Sequence, residues 1–355
     1  MKVCILGNGL TSLALAKMLL NMNINVDIFS ESKASNYSKS RTIGISNSNL
    51  NFFNKHIINI EKILWKIKEI EIYSENLNTK LISFKNKNLE IFSIIKNDKL
   101  YKLLEQKLKK SKFCNFFVKK NNDISIVKKY DLIINCNINH LLSKKFFTNK
   151  FEKNYRGFAY TALMDHQKIN NKVATQIFTK KGPLAFLPIS NTQTSLVYSV
   201  NTNEEINFNS EIKRFNKKYN ISRIYFKKKF KIKSSNLRKY YYKNVLAFGD
   251  ILHTIHPLAG QGFNMTLRDF SNLYKIINDN RELGMTINNA TLSDFENQSK
   301  HLNLIFSQGI HLIHKFFEFE GNNQSKVLAK SVKFFGDNVF LKKFLNKFAD
   351  NGLLI

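Results

Sequence analysis

Two glycine-containing segments hold most of the residues that could carry chemistry. The first is Gly7-Asn8-Gly9-Leu10-Thr11-Ser12, between a short apolar stretch and a longer apolar-periodic one. A glycine turn between a strand and a helix lets a pyrophosphate approach the backbone and the helix N-terminus. The third glycine of such turns is Ser12 here, which is small enough for close helix–strand packing. The segment therefore predicts a dinucleotide site at Gly7, Gly9, Leu10 and Ser12.

A second strand, Val26–Phe29, follows the predicted helix at the spacing of a βαβ unit. In such units an acidic residue near the end of the second strand binds the ribose hydroxyls. Counting from Gly7, that place falls at Ser30 and Glu31, and we assign it to Glu31. The alternative is that Glu31 is a solvated loop charge.

The second segment begins with a buried-type strand, Val245–Phe248, and continues through Gly249-Asp250. A carboxylate at a strand end is placed to bind sugar hydroxyls, which is the role we assign to Asp250 beside Gly249. Further on, the Gly260-Gln261-Gly262 turn can direct amide N–H groups at an electron-rich ring edge. The second segment therefore predicts contacts to sugar hydroxyls and to a ring edge.

Metal and disulfide chemistry are not indicated. His253 and His256 stand three residues apart, but only Asp250 is near enough in sequence to add a third ligand. The three cysteines are scattered along the chain, which argues against a C-x-x-C site and against a disulfide framework. A reducing, cytoplasmic compartment is the expectation.

Composition narrows the class of protein. The chain has 355 residues, a hydrophobic fraction of 43% and 31 phenylalanines, which excludes a disordered chain. Uninterrupted apolar runs stay below the roughly 18 residues of a membrane-spanning helix.

The net charge is +30, yet only seven of the 56 basic residues are arginine. Lysine, asparagine, isoleucine and phenylalanine are all frequent, which indicates nucleotide bias; the alternative is an anionic partner, and a membrane surface fits better than nucleic acid.

The segment 249–269 closely resembles the second FAD motif of the flavoprotein aromatic hydroxylases, in particular the ubiquinone-biosynthesis hydroxylases. The Gly182–Pro188 segment makes the resemblance specific, because unrelated flavoproteins lack it. The matches cover nearly the whole chain. The further matching segments, in chain order, are Arg41–Ser46, Ile94–Leu100, Phe178–Pro188 and Phe340–Leu345.

This resemblance implies an α/β fold. A glutathione-reductase-type, Rossmann-like FAD-binding domain would be interleaved with a mixed β-sheet substrate domain and followed by a C-terminal helical region. We assign residues 1–72, 98–150 and 233–290 to the FAD-binding domain. Residues 73–97 and 151–232 would form the substrate domain, and 291–355 the helical region.

The resemblance also implies noncovalently bound FAD. Its pyrophosphate would lie over the glycine turn, Asp250 would hold the ribityl chain, and Pro257 with the Gly260–Asn264 turn would border the isoalloxazine, with Arg41 nearby. The predicted cofactor-binding residues are Gly7, Gly9, Leu10, Ser12, Glu31, Arg41, Gly249, Asp250, Pro257, Gly260, Gln261, Gly262, Phe263 and Asn264.

The implied reaction is hydroxylation of the aromatic ring of a polyprenylated ubiquinone precursor with O2. The flavin does the oxygen chemistry while the protein supplies orientation and a dry site, so no catalytic acid or base is assigned. Other ubiquinone-biosynthesis proteins are implied partners. An apolar helical face at 340–348 with lysines opposite predicts peripheral attachment to the inner face of the membrane; the alternative is that this face docks on the protein's own core.

The family's middle motif ends in Asp-Gly, whereas this chain has Asn137-Ile138. In relatives that pair helps to hold FAD and the nicotinamide cofactor, so use of NADH or NADPH is left open and a redox protein, such as a ferredoxin, is the expected donor. Two other functions stay open. One is a flavoprotein that acts on a prenyl lipid without inserting oxygen, and the other is a catalytically impaired flavin-binding homologue within a ubiquinone-biosynthesis complex.

Overall fold

The computed structural model describes residues 2–31, 37, 39–75, 80–85, 90–118, 124–202, 205–257 and 260–323. The helices are α1 Leu10–Asn21, α2 Asn47–His56, α3 Asn97–Lys109, α4 Leu141–Phe146, α5 Phe208–Phe215, α6 Gln261–Glu282 and α7 Asn289–Asn323. The strands are β1 Lys2–Leu6, β2 Asn25–Ser30, β3 Thr42–Ser46, β4 Trp65–Ile67, β5 Glu69–Ser74, β6 Lys80–Lys85, β7 Phe92–Lys96, β8 Cys114–Val118, β9 Leu132–Asn135, β10 Lys150–His166, β11 Val173–Thr179, β12 Gly182–Pro188, β13 Gln193–Val200, β14 Ile221–Leu237, β15 Tyr241–Tyr242, β16 Val245–Ala247 and β17 His253–Thr254.

A six-stranded sheet has the order β15-β16-β9-β1-β2-β8, and all its strands except β15 run parallel. The central strands β1 and β9 are nearly continuous apolar runs, as expected where helices cover both faces of a parallel sheet. Taken in chain order, the five parallel strands lie 3-2-1-4-5 across the sheet. This is the Rossmann arrangement, whose ligand site lies where the strand order reverses.

An eight-stranded, mostly antiparallel sheet has the order β17-β14-β10-β13-β12-β11-β5-β6. Its two longest strands, β10 and β14, have 17 residues each and pair along most of their length. One face of this sheet packs against α5 through a second apolar core that includes Met164, Leu196, Phe208 and Ile212. The predicted mixed α/β architecture is confirmed by these two sheets.

A small sheet, β3-β7-β4, connects the two large ones. Thr42 Oγ1 in β3 donates to Ser195 Oγ in β13 at 2.9 Å, and Lys96 Nζ at the end of β7 donates to Gln193 Oε1 at 2.7 Å. These polar contacts fix the Arg41–Ser46 segment between the sheets. The boundaries that we assigned to the individual domains remain a prediction.

Two long helices, α6 and α7, follow the last strand and pack against each other and the six-stranded sheet. Among the helices in the described part of the chain, none is both long and apolar enough to cross a membrane. The helical face predicted at 340–348 lies outside the described residues, as do Leu258 and Ala259 of the second FAD motif.

Candidate functional site

The glycine turn lies where the strand order of the six-stranded sheet reverses. Gly7 follows β1 directly, with φ +109°, a backbone conformation that side chains rarely adopt. A Cβ at Gly7 would lie 3.2 Å from Ser12 Oγ and 3.4 Å from Asn137 Cβ, next to the end of β9. Ser12 is itself buried, so a small residue is needed there, as the sequence predicted.

Gly9 is the N-cap of α1, and the space above it is open. A Cβ built there meets no atom within 4 Å in the described part of the chain, and the first turn of α1 contains no acidic residue. The free N–H groups and the positive dipole end of a helix attract an anion at such a place. The turn therefore offers both the room and the electrostatics that a pyrophosphate requires.

Asp250 lies at the same edge of the sheet, at the carboxyl end of the parallel strand β16. Gly249 has φ +65°, and a Cβ there would lie 2.9 Å from Thr11 Cγ2 in the first turn of α1. This close approach brings the second motif against the first. Burial raises the pKa of the Cys136 thiol to about 12, with a further upward contribution from the Asp250 charge, so Cys136 is neutral. The Asp250 side chain is exposed at this edge.

Asn264 joins the Gly260–Asn264 turn to the Arg41–Ser46 segment. Its Nδ2 donates to the Gly44 carbonyl at 3.2 Å, and its Oδ1 accepts from the Ser46 N–H at 3.0 Å. The Asn49 side chain donates to the same oxygen at 3.2 Å. Because Asn264 is fully buried, the structure places it as a support for the start of α6 against β3.

The first turn of α6 and its N-cap have the features of a ligand cradle. Gly260 begins it with φ +66°, and a Cβ on Gly262 would have Ile255 Cγ1, 3.9 Å away, as its nearest neighbour. Gln261 is buried, yet its Oε1 accepts no hydrogen bond from the described residues. A buried acceptor without a partner is costly unless a ligand supplies the donor. With the open space at Gly9, this acceptor indicates that the residues present fit a bound dinucleotide.

Glu31 and Asn137 form a direct contact across the carboxyl edge of the sheet. Asn137 Nδ2 donates to Glu31 Oε1 at 2.8 Å, and Asn137 Oδ1 accepts from the Asn139 N–H at 3.0 Å. The aspartate of the family motif would put a second carboxylate against Glu31, whereas the amide supplies a donor. Ile138 lies outside the left-handed region, so this loop does not require the family's glycine. The role of Glu31 toward the ribose remains a prediction.

The other predicted contacts are spread around this edge. The Arg41 side chain is exposed, and its carbonyl accepts from the Asn97 N–H at 3.1 Å at the start of α3. Leu10 and Phe263 are partly buried against the main apolar core. Pro257 is partly buried and ends the described part of the loop before Gly260. The structure thus brings the glycine turn, Glu31 and Asp250 to the carboxyl edge of the six-stranded sheet, while the start of α6 packs against β3.

The two histidines of the second motif have different surroundings. His253 Nε2 and Asp269 Oδ2 are 2.5 Å apart, both side chains are buried, and Asp269 Oδ1 also accepts from Asn303 Nδ2 at 2.8 Å. His256 packs against Tyr155 and His314, where burial, together with the neighbouring histidine charges, lowers its pKa to about 3. Among the described residues no group of side chains forms a metal site. Sequence analysis missed Asp269 as the partner of His253, although it ends the same motif.

A cleft of about 1070 Å³ lies away from these residues. Its lining includes Ile24, Asp131 and Asn244, which immediately precede β2, β9 and β16, and also Arg281. It is therefore at the amino ends of the parallel strands. Ligands of open α/β sheets bind at the carboxyl ends, so this cleft is not the candidate cofactor site.

We expect Asp250→Ala to lose FAD affinity without losing the fold. Asp250 is exposed, so the free energy of unfolding should change by less than about 0.5 kcal/mol. A hydrogen bond from a ligand hydroxyl to a carboxylate contributes roughly 1.5–3 kcal/mol, which predicts a 10- to 100-fold rise in Kd. Titration of the apoprotein with FAD, followed by fluorescence, measures it. Asp279→Ala, an exposed carboxylate on α6, is the matched control, and equal affinity in both variants would contradict the assignment.

The fold and part of the sequence are similar to those of known FAD-binding proteins. Residues 161–280, about a third of the chain, match the family model described as FAD binding domain. The structure of p-nitrophenol 4-monooxygenase PnpA from Pseudomonas putida aligns with a TM-score of 0.78 and 10% identity, covering 99% of this chain and 98% of that one. PqsL from Pseudomonas aeruginosa, a probable FAD-dependent monooxygenase, aligns with a TM-score of 0.73 and 15% identity, covering 94% and 99%.

Sequence comparison adds more specific relatives. The chain is 23% identical over 230 residues to the ubiquinone biosynthesis monooxygenase COQ6 of Caenorhabditis elegans, covering 52% of this chain and 51% of that protein. It is 28% identical over 152 residues to the 3-demethoxyubiquinol 3-hydroxylase of Escherichia coli, covering 40% and 39%. The matched segments thus span two fifths to about half of the relatives' length. The predicted resemblance to ubiquinone-biosynthesis hydroxylases and the FAD cofactor are confirmed.

Proposed function

We propose that this chain is an FAD-dependent monooxygenase that hydroxylates the aromatic ring of a polyprenylated ubiquinone precursor. The observation that carries the proposal is the close approach of Gly249, beside Asp250, to Thr11 in the glycine turn, at the carboxyl edge of a Rossmann-type sheet that is accompanied by a second β-sheet. The names of the relatives support the substrate class, since both act in ubiquinone biosynthesis.

Each part of the edge has a defined task in this proposal. The amides at Gly9 and the start of α1 hold the pyrophosphate, and the Asp250 carboxylate accepts hydrogen bonds from the ribityl hydroxyls. Gln261 Oε1 accepts a hydrogen bond from the ligand, while Asn264 keeps the turn fixed against β3. Bound there, FAD supplies the activation of O2, and the protein orients the substrate and excludes water.

The substrate class places the enzyme beside a membrane. A polyprenyl tail is insoluble in water, so the enzyme must reach the aromatic ring of the substrate at the surface of a bilayer. We therefore propose that the protein is cytoplasmic and acts peripherally at the inner face of the membrane. Other ubiquinone-biosynthesis proteins would be its partners. O2 is the second substrate.

Removal of the protein from its host tests the proposed reaction. A ubiquinone precursor that lacks one ring hydroxyl should accumulate, and the native chain should restore the normal quinone pool. Mass spectrometry of the extracted quinones identifies the missing hydroxyl. An unchanged quinone pool would contradict the proposal.

We expect direct reduction by NADH or NADPH to be slow. The Asn137 side chain is engaged by Glu31 where relatives have Asp-Gly, and the exposed Ile138 side chain occupies space that the family's glycine would leave open. Stopped-flow mixing of the FAD-loaded, substrate-bound protein with NADPH should give a rate well below the roughly 10 per second of ordinary turnover. Ile138→Gly leaves the Asn137–Glu31 contact intact and should be reduced faster.

A reduced ferredoxin should reduce the same flavin quickly, as a control that the cofactor is competent. Fast reduction of the unchanged protein by NADPH would refute a separate redox protein as the electron donor. It would leave the proposed hydroxylation intact.

A further inference from the structure

Strand β14 presents a lysine-rich, aromatic edge to solvent. Its partner β10 covers one side, while β17 pairs with it only at Ser235 and Asn236, so its outer edge from 221 to 234 has no partner strand among those described. Five lysines lie on its exposed part, and none of them forms an ion pair with a described carboxylate. These lysines are Lys227, Lys228, Lys229, Lys231 and Lys233.

Two phenylalanines frame the lysine triplet at 227–229. Phe226 is 48% exposed and Phe230 is 45% exposed, although each ring would be buried in an ordinary sheet. Lys228 and Phe230 pair with Thr161 and Ala159 and therefore share one face of the sheet. Lys229 and Lys231 pair with Tyr160 and Phe158 on the opposite face, where Lys229 Nζ lies 4.2 Å from the Phe158 ring centroid, so the lysines border the edge on both faces of the sheet.

Phe226 is held in an unfavourable backbone conformation. The register with β10 shifts between the pairs Thr161–Lys228 and Leu163–Tyr225, so Phe226 and Lys227 form a bulge. Phe226 has φ +53°, a backbone conformation that is rare for a bulky residue. When the surrounding structure maintains such a strained conformation, the strain suggests a functional role. Tyr225 packs edge-on against the Phe226 ring with 4.9 Å between centroids.

This edge lies beside the segment that precedes β3. Lys39 Nζ lies 6.0 Å from the Phe226 ring centroid, and Ser40 Oγ lies 3.3 Å from Thr161 Oγ1. Arg41, a predicted cofactor-site residue, follows at once. Phe226 therefore lies beside the segment that leads into Arg41 and β3, the junction of the eight-stranded sheet with the small sheet.

We propose that the β14 edge, defined by Phe226–Lys233, docks on the surface of an anionic lipid bilayer. The five lysines suit the anionic headgroups of phospholipids, and half-exposed phenylalanines bind at the boundary of headgroups and acyl chains. The edge would deliver a lipid-dissolved substrate to the junction, a purpose that rests on the proposed function. The docking itself depends only on the charges and rings of the edge.

Sedimentation of the FAD-loaded protein with vesicles tests the docking. The protein should bind vesicles of equimolar phosphatidylglycerol and phosphatidylcholine, and bind pure phosphatidylcholine weakly. Each lysine near an anionic surface contributes roughly a fivefold gain in affinity, so replacing Lys227, Lys228 and Lys229 by glutamine should weaken binding about 100-fold. Phe226→Ser with Phe230→Ser should weaken it by about tenfold or more.

A matched control uses the exposed end of α3 and the residues that follow. There Lys109, Lys110 and Lys112 lie beside Phe113, also strongly exposed. Replacing these lysines by glutamine and Phe113 by serine should leave vesicle binding near that of the unchanged protein. Circular dichroism and FAD titration verify that each variant is folded.

Three results would overturn the proposal. They are no sedimentation of the unchanged protein with anionic vesicles, unchanged vesicle binding of the β14 variants, and an equal loss of vesicle binding in the α3 control variant. Retention on single-stranded RNA in place of vesicles would also overturn it. Turnover of a short-tailed substrate in detergent, by contrast, should survive in the β14 variants. If the unchanged protein does not turn over this short-tailed substrate, the result counts against the proposed hydroxylation and not against the docking.

Discussion

Gly9→Asp should abolish FAD binding while leaving the folded protein slightly more stable. Gly9 already has the extended backbone of an N-cap, with φ −75° and ψ 173°, and a Cβ there meets no described atom within 4 Å. Aspartate is a better N-cap than glycine by a few tenths, about 0.3 kcal/mol, and should stabilise α1. The same carboxylate would compete for the amides of α1 and repel the pyrophosphate.

The expected loss is large because the repulsion acts at short range. Two unit charges about 4 Å apart near a protein surface interact by about 4 kcal/mol, close to a 1000-fold change in Kd. Gly9→Asn has nearly the same size and capping ability but no charge, so it should retain more affinity. FAD titration and urea unfolding of both variants measure the two effects. Native-like affinity in Gly9→Asp would mean that the pyrophosphate lies elsewhere.

Asp269→Ala should strongly destabilise the protein and weaken FAD binding as well. Asp269 accepts hydrogen bonds from His253 and Asn303, and all three side chains are buried. Its removal leaves the buried His253 Nε2 without its partner, at a cost of roughly 1–3 kcal/mol, and takes from Asn303 Nδ2 one of its two acceptors, the other being the Tyr240 hydroxyl. The His253–Asp269 contact also ties β17 to α6, on either side of the loop that contains Pro257.

Urea unfolding of the apoprotein measures the first effect and FAD titration the second. Asp269→Asn keeps an oxygen acceptor and should recover part of the stability. The exposed Asp279→Ala on the same helix should change the free energy of unfolding by less than about 0.5 kcal/mol. If Asp269→Ala were as stable as this control, the buried network would not support the loop.

The Rossmann half of the fold could be predicted because its signals are local. An apolar strand, the Gly7–Ser12 turn and a periodic helix follow each other within about twenty residues, and the structure has β1, α1 and β2 there. Helix α2 was not predicted, because Asn47–His56 is rich in asparagine and carries few apolar residues. The length of β14 could not be predicted either, because its consecutive lysines interrupt the alternation of apolar and polar residues that indicates a strand.

In the candidate site, too, the residues fixed by local signals could be predicted, whereas the long-range contacts could not. Gly7, Gly9 and Asp250 could be assigned because a turn or a strand end fixes their place. The Asn137–Glu31 contact could not, since it joins residues 106 positions apart and depends on the pairing of β1 with β9 and β2. Asn264 was predicted at the cofactor turn, but its bonds to Gly44 and Ser46 depend on how α6 packs against β3.

Incorporation of labelled dioxygen tests the proposed reaction most directly. The FAD-loaded protein, reduced photochemically so that the electron donor is not in question, is mixed with a short-tailed polyprenyl phenol under ¹⁸O2. Mass spectrometry of the product should show one labelled oxygen on the aromatic ring, and none should come from labelled water in the reverse experiment. A product that carries no oxygen from O2 would contradict the account and favour a flavoprotein that oxidises or reduces a prenyl lipid without inserting oxygen.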